Sequence, residues 1–268
     1  MISATGLPTK SQGGRELMHN FYFADKWLSY FCGRFIQAPQ HEIAKRDISA
    51  IEIPYKDGDI LLDNGRWQNV EFEREICFLP YLSEMSAHHL AKAVTEWLTL
   101  NRGYQKYKDT YNPGYFTKAY ISNIDSIVRE LPSLLTTKIK FNRVPWWYSE
   151  IGAKPIELEV NKAVNLRNPE KYISLPTIKI TNTNTSSSSN AKANLTINGT
   201  KYILSCVAGY DYALLDGESM QYRAYKSDGT SKFINGTLPP EFSTGNNQVT
   251  VTAVSNAEIS ITPNWRRL

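Results

Sequence analysis

Three glutamates alternate along one predicted strand, in a pattern that could supply metal ligands or acid–base groups. Glu71, Glu73 and Glu75 are two residues apart, so a strand would place all three carboxylates on one face. Only Arg74 interrupts the apolar row on the opposite face. That row consists of Val70, Phe72, Ile76 and Phe78. Because no histidine accompanies the glutamates, we favour the solvent side of a half-buried strand over a metal or catalytic site.

The histidines offer no better catalytic arrangement. His88 and His89 are adjacent in a predicted helix, so their side chains would point to different faces and could not easily share one metal ion. The sequence also lacks a glycine-rich phosphate loop, a GxSxG elbow and an HExxH motif. We therefore expect a binding or assembly protein that is not an enzyme and has neither a metal nor a cofactor.

Residues 104–111 mix tyrosines with lysines, the composition of a surface on which the bases of single-stranded nucleic acid stack. A turn packed on a β domain, or a subunit interface, has the same composition. The net charge is only +4, and no lysine or arginine cluster forms a basic stripe. We favour the second interpretation because the segment has no counterpart elsewhere in the chain.

The composition is that of a globular protein with room for one large domain or two ordinary ones. Of the 268 residues, 41% are hydrophobic and 21% charged, and the 16 tyrosines favour sheets. Three cysteines at unrelated spacings (Cys32, Cys77 and Cys206) indicate reduced, mostly buried thiols rather than a disulfide framework. We find no signal peptide and no apolar run long enough for a membrane anchor.

Short strands and one helix dominate the predicted secondary structure. The helix spans residues 83–100, with Ser83 or Ser86 as its cap. Its apolar stripe consists of Leu90, Val94, Trp97 and Leu98. Residues 27–35 are strand candidates, 55–59 a turn, and Asp63-Asn64-Gly65 a tight hairpin. A domain boundary is expected near residues 148–155, after which a series of short strands indicates a sandwich or barrel.

The C-terminal stretch has the pattern of a loop, a strand, a short turn and a second strand. Residues 238–247 contain a Pro-Pro pair and Gly245-Asn246-Asn247, which favour turns. Residues 249–254 and 259–261 alternate apolar and polar side chains. This pattern predicts the closing hairpin of a β-sandwich.

The order of these elements resembles the distal tail protein (Dit) family of long-tailed, non-contractile phages. The likeness spans residues 18–268 and rests on turn motifs in a shared order. Tyr55-Lys56 stand where Gly-Arg is usual in the family's turn. The segments that carry the likeness are 46–48, 54–59 and 63–67, Glu96-Trp97-Leu98 with 112–116 and Ala119, 141–145, 168–170 with 175–178, and the ending with Pro263 to Arg266.

The resemblance implies a mainly β fold with two domains. Residues 18–150 would form a partly open β-barrel with one helix that assembles into a hexameric ring. Residues 151–268 would form a galectin-like β-sandwich. The subunit contact is expected at the hairpin whose residues are Tyr55, Lys56, Asp57, Gly58, Asn64 and Gly65.

The implied role is that of a baseplate hub at the virion tail tip, made in the cytoplasm of the host bacterium. The ring would join the major tail tube protein to a tail-associated lysin or fibre protein. The tape-measure protein and DNA would pass through it, and receptor-binding proteins are further candidate partners.

A galectin-like sandwich also suggests an adhesion module that binds host cell-wall polysaccharide. Sugar sites stack an aromatic ring on the sugar and surround it with polar groups. Trp265, Arg266, Tyr222 and Tyr225 could supply these groups. We favour the alternative that Trp265 closes the sandwich core and Arg266 pairs locally.

The first seventeen residues are polar and aperiodic. They are either an arm or an upstream extension of a protein whose synthesis starts at Met18, and we weigh the two interpretations equally. The mass of the natural product would decide between them.

Overall fold

The computed structural model describes residues 20–184, 190–236 and 238–268. The two alternative starts, Met1 and Met18, lie outside the described residues. The chain divides into two compact units, and the second unit begins at Trp146. The short strand Trp147–Ser149 pairs with Arg266–Arg267 in the second unit.

The first unit is built from antiparallel strands and one helix. The strands are β1 (Phe21–Phe23), β2 (Lys26–Trp27), β3 (Gly33–Phe35), β4 (Arg46–Ile51), β5 (Ile60–Trp67), β6 (Val70–Phe78), β7 (Gln105–Asp109), β8 (Tyr115–Ile124), β9 (Val128–Leu131) and β10 (Leu134–Arg143). The main sheet has the order β2-β1-β7-β8-β10-β6-β3, with β9 paired to β10. It curls into a half-barrel, as the expected partly open barrel requires. Strands β4 and β5 form a separate two-stranded sheet.

The helix α1 (Ala87–Leu100) is the only α-helix in the part of the chain that the structure describes. Ser86 caps it by accepting a hydrogen bond from the His89 amide at 3.3 Å. All four residues of the predicted stripe are buried. Trp97 packs on Phe31 at 4.8 Å between ring centroids, and its indole N–H donates to the Phe23 carbonyl at 2.8 Å. The helix is thereby bound to the sheet by both packing and a hydrogen bond.

The prediction of strand over residues 27–35 is correct for Trp27, which ends β2, and for Gly33–Phe35. Residues Leu28–Phe31 form a 3-10 turn instead. Leu28 and Phe31 are three residues apart, a spacing at which 3-10 side chains share one face, and both are buried. The turn therefore buries two large side chains that a strand of alternating faces would separate.

The second unit consists of short antiparallel strands. They are β11 (Trp147–Ser149), β12 (Ile156–Leu158), β13 (Ala163–Asn168), β14 (Thr177–Asn182), β15 (Ala191–Ile197), β16 (Thr200–Cys206), β17 (Tyr212–Asp216), β18 (Gln221–Tyr225), β19 (Ser231–Phe233), β20 (Gly245–Ser255), β21 (Ala257–Thr262) and β22 (Arg266–Arg267). One sheet has the order β12-β21-β14-β17-β18-β19 and the other β13-β20-β15-β16. Both sheets bury side chains in one core, so the unit is a β-sandwich. Its likeness to galectins stays a prediction.

The predicted closing hairpin at the C-terminus is wrong. Strand β20 pairs with β13 and β15, whereas β21 pairs with β12 and β14 in the other sheet. The turn at Asn256, whose φ is 53°, leads from one sheet to the other. Both strands have the alternation of half-buried strands because Val251 and Ile261 enter the same core from opposite layers. The alternation of apolar and polar side chains predicts a strand, but it does not predict which other strand pairs with it.

Gly245-Asn246-Asn247, predicted as a turn, is the beginning of β20. Asn247 is completely buried, and its side-chain amide donates to the carbonyls of Ser243 and Gly245, both at 3.0 Å. Its side-chain oxygen accepts from the Ser243 amide at 2.9 Å. This asparagine stabilises the backbone bend at the start of the strand. Its role there explains why a residue that favours turns occupies a paired strand position.

We predict that Trp97→Ala lowers the free energy of unfolding by about 3–5 kcal/mol, because it leaves a cavity beside the sheet and removes the indole hydrogen bond to the Phe23 carbonyl. Urea unfolding followed by circular dichroism measures the change. Leu100→Ala is the control in the same helix, since Leu100 is 74% exposed. A similar loss in both variants would contradict the placement of the Trp97 face.

Candidate assembly surface

Strands β4 and β5 form an exposed hairpin, residues 46–67, that we call the arm. Ile51 pairs with Ile60 and Ala50 with Leu61 across it. An isolated two-stranded hairpin is marginally stable in water at best. The arm is therefore the element of this unit that most needs a further surface to pack against.

Apolar side chains lie exposed on both faces of the arm. Residues opposite each other in an antiparallel pair share a face, so Ile51, Ile60 and Leu62 form one apolar row. Ile48 and Leu61 lie on the other face. Leu61 is 68% exposed, and the remaining four isoleucines and leucines are between 41% and 54% exposed. Contiguous exposed apolar surface of this kind marks an interaction site.

The tip of the arm is the turn that the sequence predicts at residues 55–59. Tyr55 is fully exposed and has a φ of 65°, which is uncommon for an aromatic residue. Gly58 has a φ of 79°, and the Lys56 amide donates to the Ile53 carbonyl at 3.2 Å. Asp57 is exposed beside them. The tip thus presents an aromatic ring and charged groups to its surroundings.

The hairpin predicted at Asn64-Gly65 is wrong, because β5 continues through both residues. The pairing register shifts between Arg46 and Ile48, and Gly65 takes a φ of 72° opposite this shift. The Gly65 amide donates to the Asp63 carboxylate at 2.8 Å. The Asn-Gly pair therefore forms a bulge that bends the arm rather than a turn that ends it.

Exposed ion pairs lie at the base of the arm. The Nε atom of Arg66 lies 2.5 Å from the Asp47 carboxylate, and that of Arg46 lies 3.0 Å from the Asp63 carboxylate. The hydrogen bond from Arg66 lowers the pKa of Asp47. Because these groups are solvated, each pair contributes at most about 1 kcal/mol to stability.

A buried ion pair attaches the segment that precedes the arm. Arg74 of β6 is 4% exposed, and its Nη1 donates to the Glu42 carboxylate at 2.7 Å. Its Nε donates to the Tyr107 hydroxyl at 3.3 Å, and its Nη2 lies 4.0 Å from the Asp109 carboxylate. A second arginine, Arg143, donates from its guanidinium to the Glu42 carbonyl at 3.4 Å. Two buried arginines thus hold the chain against the sheet just before the arm begins.

Burial shifts the protonation equilibria of this cluster. Desolvation raises the pKa of Asp109, and hydrogen bonds from the amides of Tyr111 and Asn112 oppose that shift. Desolvation lowers the pKa of Arg143 to about 10, so this arginine still carries its charge at neutral pH. Sequence analysis identified Arg74 only as an interruption of an apolar row. A charged residue at a core position was the signal that could have revealed the cluster.

The acidic row of β6 lies on the outer face of the sheet, beside lysines of β10. Lys138 lies 2.8 Å from Glu75, and Lys140 lies 3.1 Å from Glu73. The hydrogen bond from Lys140 lowers the pKa of Glu73. Among the described residues, no three acidic, histidine or cysteine side chains are grouped to hold a metal ion. The arrangement is that of a solvated salt-bridge ladder.

Strand β7 (Gln105–Asp109) forms the middle of the tyrosine- and lysine-containing segment 104–111. Tyr107 and Asp109 are buried, whereas Lys106 and Lys108 belong to the opposite face. The Lys106 ammonium lies 4.3 Å from the Phe116 ring centroid, and that of Lys108 lies 5.5 Å from the Tyr22 centroid. The lysines therefore cover aromatic rings of their own unit.

Three of the four residues considered for sugar binding are buried in the second unit. Trp265 is 6% exposed and lies 5.3 Å from Phe242 between ring centroids. Arg266 donates to the Ile173 carbonyl at 2.9 Å, and the Tyr222 hydroxyl donates to the Ser205 carbonyl. Tyr225 is half-buried and stacks on another tyrosine, Tyr212, at 5.3 Å. The four side chains do not form an exposed ring platform.

None of the cysteines is in a disulfide. Cys206 is buried, and Cys32 and Cys77 are half-buried. Burial raises the pKa of the Cys206 thiol to about 11, which keeps it protonated at neutral pH. Among the described residues, no helix combines the length and hydrophobicity required to cross a membrane.

We predict that Arg74→Ala lowers the free energy of unfolding by about 3–5 kcal/mol, because it leaves the Glu42 and Asp109 carboxylates without their buried partner. The matched control, Arg66→Ala, removes an exposed arginine of similar geometry and should cost at most about 1 kcal/mol. Guanidinium unfolding curves of the two variants provide the measurement. Equal losses would show that burial of Arg74 has no energetic consequence.

Gly152→Ala tests the closure of the second unit by Trp265. The added Cβ would lie 2.6 Å from Cδ1 of Trp265 and 2.7 Å from its backbone nitrogen. We expect destabilisation of about 1–3 kcal/mol from this overpacking, measured by thermal unfolding. The exposed neighbour substitution Lys154→Ala is the control. An unchanged midpoint for Gly152→Ala would mean that Trp265 does not pack at this position.

Comparison with known proteins gives likeness at the level of structure only. No protein-family model and no curated protein sequence matches the chain. The SPP1 Dit (gp 19.1) protein, whose structure is described as a paradigm of the hub adsorption apparatus in phages that infect Gram-positive bacteria, matches with a TM-score of 0.58. The match has 11% identity and covers 93% of this chain and 99% of that one.

Two structures of the phage P2 baseplate in its activated conformation also match. The Ca-containing structure has 13% identity and a TM-score of 0.52, and the Sr-containing structure has 12% and 0.51. Each match covers 93% of this chain and 98% of the other. The resemblance to the Dit family that the sequence predicts is therefore confirmed at the level of the fold, which this chain shares with the SPP1 Dit protein.

Proposed function

We propose that this protein is a structural component of a phage tail tip, acting as the baseplate hub. The observation that carries the proposal is the fold shared with the SPP1 Dit hub protein over 93% of the chain.

In this proposal six copies form a ring through their first units. The arm supports this assembly because its apolar rows are exposed on both faces of a hairpin that is marginal by itself. An arm that packs on a different surface of the next copy makes a heterologous contact, which generates a closed ring if the rotation closes. Tyr55, Lys56, Asp57 and Gly58 at the tip and Asn64-Gly65 at the bulge would lie in or beside this contact.

The ring would connect the tail tube protein to a tail-associated lysin or fibre protein, with the tape-measure protein and DNA passing through its centre. Its place would be the virion tail tip, after synthesis in the host cytoplasm. The alternative of a carbohydrate-binding adhesion module gains no support from Trp265, Arg266 and Tyr222, because all three are buried.

We predict that Leu61→Ser weakens assembly of the purified protein by about tenfold or more, because burial of a leucine contributes about 1.5–3 kcal/mol. Native mass spectrometry and light scattering across a concentration series measure the fraction of six-copy species, and electron microscopy shows whether it is a ring. Ile203→Ser is the matched control, since Ile203 is 65% exposed but belongs to the second unit. A wild-type chain that remains monomeric at tens of micromolar would count against the ring.

A further inference from the structure

The chain contains three Asn-Gly pairs, and each is a candidate site of spontaneous deamidation. In this reaction the backbone nitrogen of the glycine attacks Cγ of the asparagine, and ammonia leaves as a succinimide ring closes. Water then opens the ring to an aspartate or an isoaspartate. Glycine favours the attack because it has no Cβ to hinder the approach and permits the backbone rotation that ring closure needs. The pairs are Asn64-Gly65, Asn198-Gly199 and Asn235-Gly236.

The fold holds Asn198 in the turn between β15 and β16. Its side-chain amide donates to the side-chain oxygen of Asn247 at 2.8 Å, and its own side-chain oxygen accepts from the Gln248 amide at 2.9 Å. Asn247 is completely buried, so it is a fixed partner. Attack by the Gly199 nitrogen would require both hydrogen bonds to break before the Asn198 side chain could turn toward it.

Asn64 lies within β5 of the arm, where the nitrogen that would attack is already engaged. The Gly65 amide donates to the Asp63 carboxylate at 2.8 Å, and the Asn64 side-chain amide donates to the Ser49 hydroxyl at 3.2 Å. Nε of Arg46 also donates to Asp63, at 3.0 Å, and the hydrogen bond from this arginine lowers the pKa of the carboxyl. The carboxylate is therefore a poor base for the amide proton. Asn64 is hindered although it is exposed.

Asn235 and Gly236 follow β19 in the second unit, and both are exposed. The Ile234 amide just before them donates to the Tyr222 carbonyl at 2.9 Å. Within the part of the chain that the structure describes, neither the Asn235 side chain nor the Gly236 nitrogen makes a hydrogen bond. A Cβ added at Gly236 would have no heavy atom within 4 Å beyond its chain neighbours. Nothing in the described fold thus keeps the two reacting atoms apart.

We propose that Asn235 is a modification site, at which the folded protein deamidates spontaneously while the other two Asn-Gly pairs are protected by their hydrogen bonds. Water is the only co-reactant, and the side-chain nitrogen leaves as ammonia. Both products carry a negative charge that the amide lacks, and the isoaspartate also inserts its Cβ into the main chain just after β19. This modification goes beyond the proposed hub function and does not depend on it.

Ageing of the purified full chain at mildly alkaline pH provides the first test, because the deprotonated glycine nitrogen is the attacking species. Peptide mapping by mass spectrometry follows the three asparagines over time. We expect modified Asn235 to accumulate at least about tenfold faster than modified Asn198, since two hydrogen bonds must first break at Asn198. Asn64 should also react more slowly than Asn235. In urea-unfolded chain the three rates should converge. Equal rates in the folded chain, or a slower rate at Asn235, would overturn the proposal.

Ion-exchange chromatography of the intact protein provides the second test, since it excludes deamidation that occurs during digestion. Wild-type protein should acquire an acidic species on ageing. Asn235→Gln should not acquire it, because ring closure through the longer glutamine side chain is much slower. The matched control Asn64→Gln, at an exposed Asn-Gly pair in the arm, should acquire the species as wild type does. An acidic species that persists undiminished in Asn235→Gln would assign the modification to another residue.

Discussion

The buried ion pair between Arg74 and Glu42 is the constraint on which the arm depends. A guanidinium that is 4% exposed must be paired, because an unpaired buried charge costs several kcal/mol. Glu42 supplies the partner only if the segment after β3 lies against the sheet, and Arg143 holds the same segment through the Glu42 carbonyl. The chain therefore reaches Arg46 at a defined place on the sheet. An arm that is itself marginal thus begins from a rigid base.

Each unit otherwise completes its own core. In the first unit, Phe21 stacks on Trp97 and Tyr107 at 5.8 and 5.7 Å, and in the second, residues of both sheets enclose Phe242 and Trp265. The exposed apolar rows of the arm are different, because their isoleucines and leucines are 41–68% exposed. A protein with closed cores and an exposed apolar hairpin is suited to assembly with further copies, which accords with the proposed hub.

Sequence patterns anticipated the elements whose side chains follow a simple period. Strand β6 and the stripe of α1 have the predicted buried faces. Turn-forming residues do not reverse the chain in two places where they predict a turn. Asn64-Gly65 forms a bulge within β5, and Gly245-Asn246-Asn247 opens β20, because both motifs permit a backbone bend without requiring the chain to reverse.

By itself, the sequence determined which faces are apolar and where positive φ is tolerated, since both properties reside in single residues and their spacing. It also indicated, through the order of its motifs, the family whose fold this chain shares. Only the tertiary structure decided that β20 and β21 belong to different sheets and that Arg74 meets Glu42. The physical reason is that strand pairing and the compensation of a buried charge depend on residues distant in the chain, which local periodicity does not specify.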